Sequence, residues 1–526
     1  MWYNFYMEKV ISDETRTTEM VTISRAEYEA MKAQINWLME QLGLLKKKVY
    51  GSSSEQTREE EAGQLSFLFN EAEAYQPQEA PAQETTVAEH TRKKPNARVT
   101  ERLPEDAPVE VVEHHLSEEE RMCPECGTAM AVIGKDVRRS LKIIPAQVVI
   151  REDVYYTYGC PQCKVDGTDV PIVKAEKDPA VIPGSFASPE AIAYIMTQKF
   201  VMASPLYRLE QELARMNVPL SRQTMSNWIL RSANDWLKPV YEELCRLLRM
   251  RHVLHADETT LQVLREAGKA AQTKSYMWLY RTGGDAEHPI VLYDYQPNRK
   301  AENAEKFLEG FAGYLHADGY QGYHKLPERI RVVGCWAHAR RKFDEALNAV
   351  PKPDRAGSAA AEGVAYCDRL FAIEKELTAL TPKERYEQRL KREKPVLDAF
   401  LAWAESKTAP PKSLLGKAIH YLREQWQYLI RYLEDGRLEI SNNRAERSIK
   451  PFVIGRKNFL FANTPNGAQG SAIMYSMIET AKENGLDPYR YLVWLLSTAP
   501  ALAAKDKAWA AKLIPAAAPM DCKVSS

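Results

Sequence analysis

Two short apolar runs end in aspartate: Val253-Leu-His-Ala-Asp257, followed at once by Glu258, and Tyr314-Leu-His-Ala-Asp318. The near repetition of His-Ala-Asp predicts two strands with similar ends. Carboxylates brought together at strand ends suit the holding of divalent metal for phosphoryl chemistry. Two unrelated surface aspartates would give the same pattern. A third carboxylate, Glu446, lies in Glu439-Ile-Ser-Asn-Asn-Arg-Ala-Glu446-Arg-Ser-Ile-Lys450. Ser441 or Asn442 can cap a helix there, with Asn443, Glu446, Arg447 and Lys450 on one face. Between residues 436 and 460, six Arg or Lys, among them Arg447, Lys450, Arg456 and Lys457, stand against two Glu. That local charge suits a DNA channel; an exposed salt-bridged helix is the alternative. Glu258 and Glu439 rank behind Glu446 as metal ligands.

The elements that must position these residues occupy a chain of 526 residues, long enough for several domains. Net charge is +0, from 71 basic and 71 acidic residues, so a nucleic-acid surface must be local. No apolar run has membrane-spanning length, and Met1–Tyr6 lacks a signal-peptide pattern. A cytoplasmic protein is expected. Cys123-Pro-Glu-Cys126 and Cys160-Pro-Gln-Cys163 can supply four thiolates to one structural zinc ion. Runs over Arg139–Ile144 and Val148–Tyr158 read as strands, so residues 109–175 are expected to form a zinc ribbon.

Upstream, Tyr28, Met31, Ile35, Leu38, Leu42, Leu45 and Val49 alternate at spacings of three and four. This predicts a coiled-coil helix over residues 20–50, the alternative being an amphipathic helix packed within its own domain. Residues 51–108, rich in Glu, Gln, Pro, Ala and Thr, read as a disordered linker. Residues 180–240 are helical. Ser188-Pro189 starts one helix, Leu206–Met216 forms a second, and Ser221-Arg-Gln-Thr224 caps a third. That is the shape of a helix-turn-helix, in which Arg222, Gln223 and Asn227 would face DNA. An ordinary helical hairpin has the same pattern.

From residue 250 the expected order is Val253–Asp257, Ser275–Tyr280 and Pro289–Asp294 as strands, a helix over Ala301–Phe311, strands at Tyr314–Ala317 and Ile330–Cys335, and a helix from about Ala337. This order matches a ribonuclease H-like core spanning 250–470, interrupted by a charged helical insertion at about 345–435. In that arrangement Asp257 and Asp318 lie on neighbouring strands. Residues 471–526 follow as a C-terminal helical region, with an amphipathic helix pair over Ser471–Ser497.

The chain resembles the DDE transposases of the insertion sequence 66 family. The resemblance rests on His255-Ala-Asp-Glu-Thr259, Ala317-Asp-Gly-Tyr-Gln-Gly-Tyr323, Cys335-Trp-Ala-His-Ala-Arg-Arg-Lys-Phe343, Ser441-Asn-Asn-Arg-Ala-Glu-Arg-Ser-Ile-Lys-Pro451 and Gly455-Arg-Lys-Asn-Phe-Leu-Phe461. It implies Asp257, Asp318 and Glu446 as an acidic triad holding two Mg2+ (or Mn2+) ions. This chain has Thr260 where the family usually has proline. The implied partners are double-stranded DNA at the element's ends and target, further copies of the chain, and accessory proteins of the same element. A bacterial, nucleoid-associated location follows. His338 is a candidate for positioning the phosphate, against a helix-start histidine satisfied by backbone. A DNA-binding regulator and a nuclease without strand transfer are the competing functions.

Overall fold

We describe a computed structural model, whose described residues are Met31 and 147–159, 172–175 and 177–524. The zipper seam apart from Met31, the linker and the four knuckle cysteines lie outside them. The strand expected over Val148–Tyr158 reduces to β1 (Thr157–Gly159), paired antiparallel with β2 (Ile172–Lys174). Residues 148–156 have no strand partner among the described residues and expose Val149 and Ile150.

Helices α1 (Pro189–Phe200), α2 (Leu206–Arg215) and α3 (Arg222–Ser232) follow. Ser188 Oγ accepts from Ala191 N, and Ser221 Oγ accepts from Thr224 N, so both caps form as their residue types dictate. The helical run continues beyond α3. It passes through a π-helical turn, Ala233–Leu237, into α4 (Lys238–Arg249). Pro239 has no N–H for the Asp235 carbonyl, and Lys238 N–H reaches back to Ala233, a π-type bond.

The sheet is mixed. Its strands are β3 (Val253–Gln262), β4 (Lys274–Thr282), β5 (Val291–Gln296), β6 (Gly313–His316) and β7 (Ile330–Val333), in the order β5-β4-β3-β6-β7. The pairs β3–β4 and β4–β5 are antiparallel, and β3–β6 and β6–β7 are parallel. The first strand is longer than expected because Glu258–Gln262 continue the ladder opposite Lys274–Trp278. Between β5 and β6, α5 stops at Phe307 rather than Phe311, although Phe311 is still buried. Gly313 opens β6 at φ +154°, where a Cβ would strike the His252 carbonyl. A glycine there lets β6 begin against β3, with Tyr314 N donating to His252 O at 2.9 Å. That contact sets the register on which the two aspartates depend.

Two helical layers cover the sheet. One contains α6 (Trp336–Ala349), α7 (Ala359–Leu377), α8 (Pro382–Arg392), α9 (Lys394–Ser406) and α10 (Leu414–Leu429). Trp336, Phe343, Phe400, Leu422 and Leu429 form its core, and Trp336 Nε1 donates to Leu429 O at 2.9 Å. The other contains α11 (Asn443–Phe459), α12 (Pro465–Glu483) and α13 (Pro488–Lys505). Helix α12 is not amphipathic as expected: residues 472–481 are all buried. Its polar members serve the edge strand. Ser476 Oγ accepts from Tyr293 N (2.7 Å), and Thr480 Oγ1 accepts from Val291 N (3.0 Å) and donates to Val291 O (2.9 Å). The outer backbone groups of Val291 and Tyr293 are thereby engaged, which hinders strand addition at that stretch of the edge.

Candidate active site

In the parallel β3–β6 pair, Val253 lies opposite Tyr314, Leu254 opposite Leu315 and His255 opposite His316. Two residues further along each chain come Asp257 and Asp318. The two histidines stack 4.3 Å apart at 12°, fully buried beneath them. Burial holds both imidazoles well below the ordinary histidine range, so both are neutral.

Glu446 reaches this end of the sheet through a series of backbone anchors. His316 Nε2 accepts from Glu439 N at 3.2 Å, Trp336 N donates to Ile440 O at 3.1 Å, and Asn442 N donates to Cys335 Sγ at 3.1 Å. Asn442 stands at the N-cap of α11 but does not cap it with its side chain. Its Nδ2 donates to Ala256 O at 2.8 Å, while its Oδ1 lies 3.0 Å from His255 Nδ1, which must therefore carry the proton. Asn442 thus ties the start of the Glu446 helix to the residue before Asp257. Glu446 follows one turn later.

Asp257 lies in the field of the neighbouring carboxylates. Burial pushes the Asp257 carboxyl well above its ordinary value, and Glu258, Asp318 and Glu446 raise it further. Such repulsion on Asp257 is what a bound dication relieves, so these carboxylates suit divalent metal. Asp257 Oδ1 accepts from Glu258 N, and Asp318 Oδ1 from Tyr320 N. Cations rim the group. Arg299 lies 3.8 Å from Asp318 and stacks on the Tyr320 ring at 3.7 Å. Arg341 and His338 each lie 3.6 Å from Glu446. Burial works against protonation of His338, but Cys335 and then Glu446 raise its pKa to about 9.

The remaining sequence candidates are dispersed. Glu258 is held by Arg299 Nε (2.6 Å) and the Tyr323 hydroxyl, and Glu439 by Arg444 (2.7 Å). Arg447 and Lys457 are exposed, and Lys450 is half-buried on the same helix. Arg456 instead turns inward. It donates to Thr259 Oγ1 and Thr260 Oγ1, each at 3.1 Å, and to the Thr260 carbonyl, and so braces the extension of β3. Arg222, Gln223 and Asn227 share an exposed face of α3, with Gln223 Nε2 3.5 Å from Asn227 Oδ1. Sequence reading passed over Arg299, Arg341 and Cys335 as site residues. Arg299, beside Lys300, and Arg341, within Arg340-Arg341-Lys342, had a local signal as runs of cations; Cys335 had none.

Replacing Asn442 with alanine removes the acceptor for His255 and the donor for Ala256 O, both fully buried. We expect the variant to lose about 2–6 kcal/mol of stability, since each of the two orphaned buried groups costs about 1–3 kcal/mol. Denaturant unfolding checks this; a loss below about 0.5 kcal/mol would show that the bonds contribute nothing net.

A mixed α/β body with carboxylates and arginines at one end of its sheet defines an acidic centre. Comparison with known proteins places it further. A family model described as "Transposase IS66 family" matches residues 184–470, and one described as "zinc-finger binding domain of transposase IS66" matches 120–164. "Transposase C of IS166 homeodomain" matches 37–112, and "IS66 C-terminal element" matches 476–515. Curated relatives include uncharacterized protein y4jD of Sinorhizobium fredii, 31% identical over 395 residues, covering 72% of this chain and 75% of the relative. Another from the same organism, uncharacterized protein y4hP, is 29% identical over 441 residues, covering 80% and 77%. The chain belongs to the IS66 family of transposases, which act on DNA. No described helix is long and apolar enough to cross a membrane.

Proposed function

We propose that this transposase binds the ends of its insertion sequence and catalyses metal-dependent strand cleavage and strand transfer. Asp257, Asp318 and Glu446 are the metal-holding triad. The observation that supports this is the parallel β3–β6 register, which pairs His255 with His316, each two residues before one of the aspartates. The strand order β5-β4-β3-β6-β7 supports a ribonuclease H-like core over 250–470, with 345–435 as its helical insertion. The coiled coil at 20–50, linker at 51–108, zinc ribbon at 109–175 with Cys123, Cys126, Cys160 and Cys163, helix-turn-helix at 180–240 and C-terminal region at 471–526 complete the proposed organisation.

When bound, two magnesium or manganese ions supply activation of a water or 3′-hydroxyl and charge relief at the phosphate. The protein's own groups do the rest. Arg299, held by Tyr320 and facing Asp318, is placed to draw a phosphate to the carboxylates. Arg447, Lys450 and Lys457 offer further cations for the DNA backbone, and His338 positions the phosphate from the Glu446 side. Arg456 contributes by stiffening β3. Arg222, Gln223 and Asn227 read the element's ends from α3. Self-association through residues 20–50 would bring two ends together.

The test supplies the full chain and magnesium with duplexes spanning both junctions of the element and a second duplex as target. Cleavage at the junctions followed by joining is expected. Cleavage without joining would make the protein a nuclease, and binding without either a DNA-binding regulator.

A further inference from the structure

Beside the triad, three side chains of different chemistry converge. Cys335 Sγ, one His338 ring nitrogen and one Glu446 carboxylate oxygen all lie within 4.8 Å of one another. Cys335 ends the segment after β7, His338 sits in the first turn of α6, and Glu446 is on α11. Two of the atoms are short of partners. His338 Nδ1 and Glu446 Oε1 are both buried, accept and donate no hydrogen bond, and face each other at 3.6 Å. That is too long for a hydrogen bond of ordinary strength. It is close to the edge of a tetrahedron around zinc, about 3.3 Å for nitrogen and oxygen ligands at their usual distances.

We propose that Cys335, His338 and Glu446 form a binding site for a zinc-class divalent ion, separate from the magnesium site but sharing Glu446 with it. The inference rests on the proposed function only through that shared carboxylate. Thiolate and imidazole select zinc over magnesium, which prefers oxygen ligands. The surroundings support the ligands. Asn442 N–H donates to Cys335 Sγ, a contact that steadies a coordinated thiolate. Arg341 stands 3.6 Å from Glu446 Oε2, leaving Oε1 turned to the histidine. On binding, the Cys335 S–H bond breaks, its proton and any proton on His338 Nδ1 pass to solvent, and S–Zn, N–Zn and O–Zn bonds form. The fourth position stays open to water. Side chains of His338 and Glu446 are each about a quarter exposed, so an ion can enter from the cleft. With its carboxylate committed there, Glu446 is withdrawn from Asp257 and Asp318. Zinc then acts as an inhibitor of a magnesium-dependent reaction.

The experiment measures zinc bound per full-length chain by equilibrium dialysis, for the wild type, Cys335→Ser and His338→Asn, with circular dichroism melts to verify folding. Each variant is expected to hold one equivalent fewer than the wild type. The cobalt-loaded wild type minus Cys335→Ser should show a thiolate-to-cobalt charge-transfer band. Zinc should inhibit magnesium-supported DNA cleavage by the wild type at least about tenfold more strongly than by Cys335→Ser, each relative to its own uninhibited rate, the scale on which metal-site changes act. Should Cys335→Ser unfold, His338→Asn decides the binding question alone. Equal zinc content in the wild type and every folded variant overturns the site. If that happens while magnesium still supports cleavage, the proposed function stands. If one equivalent is lost but no DNA is ever cleaved, the site stands and the function falls.

Discussion

Asp257→Asn, Asp318→Asn and Glu446→Gln should each reduce strand cleavage by at least about a hundredfold to a thousandfold, the scale of losing one electrostatic stabiliser of a phosphoryl transition state. Each change keeps size and hydrogen-bonding capacity while removing one negative charge. Two dications about 3.5–4 Å apart need that charge to stay bound. DNA binding should persist or strengthen, because an anion beside the phosphate has gone. Manganese should restore part of the activity, tolerating altered ligands better than magnesium. Asp257→Asn carries a second expected result. Its carboxyl is raised by burial and by Glu258, Asp318 and Glu446, so the ionised form opposes folding at neutral pH when no metal is present. The metal-free variant should therefore melt at a higher temperature than the wild type. Glu258→Gln and Glu439→Gln supply the contrast, since their carboxylates are engaged by Arg299 with Tyr323 and by Arg444. Both should keep substantial activity. If the three triad variants cleave like the wild type, the metal-site assignment is wrong.

The largest loss of stability is expected at Arg389, far from the carboxylates in sequence. Its side chain is fully buried. Nε and Nη2 donate to the two oxygens of Glu374 at 2.6 and 2.7 Å. The remaining donors go to the carbonyls of Tyr432 (2.9 Å), Asp435 (3.1 Å) and Leu438 (2.8 Å). One guanidinium therefore shapes residues 432–438, the run leading to Glu439, Asn442 and Glu446. Burial and then Glu374 raise the pKa of nearby Glu393, which the Tyr432 hydroxyl contacts at 2.7 Å. Arg389→Leu leaves these carboxylates without their cation and three carbonyls without donors. A loss of about 3–5 kcal/mol is expected, the usual cost of breaking a buried pair from one side. Urea unfolding at neutral pH reads it directly. Arg389→Lys should recover only part, since an ammonium cannot match the bidentate fork. A loss under about 1 kcal/mol would mean that solvent reaches the pair and screens it.

Much of the sheet was legible because strand signals are local. Val253–Asp257, Ile330–Val333 and the aromatic run at 275–280 are β-branched or aromatic segments bounded by turns, and each became a strand. The caps at Ser188 and Ser221 formed for the same reason: a hydroxyl three residues from an orphan N–H needs nothing from elsewhere in the chain. Lengths and roles that depend on distant partners were not legible. The β-branched Thr259, Thr260 and Val263 favour an extended run after Asp257, but its length is set by the ladder with β4 and by Arg456, which lies far along the chain. Helix α12 looked amphipathic until β5 met its hydroxyl face, since serine and threonine count as polar until a buried strand edge requires them.

The acidic residues themselves were readable by type and position, and the resemblance to the insertion sequence 66 family was readable from their neighbours. What the fold alone decided is which groups surround them. Asn442 is a helix cap by every local rule, yet its amide serves His255 and Ala256, 187 and 186 residues away in sequence. Cys335, His338 and Arg341 meet Glu446 because the anchored run at 439–442 crosses the start of α6. Local sequence determines the backbone dihedrals and caps that a few neighbouring residues can satisfy among themselves. Contacts across more than a hundred residues follow from how the layers pack, and the chemistry around Glu446 is made of such contacts.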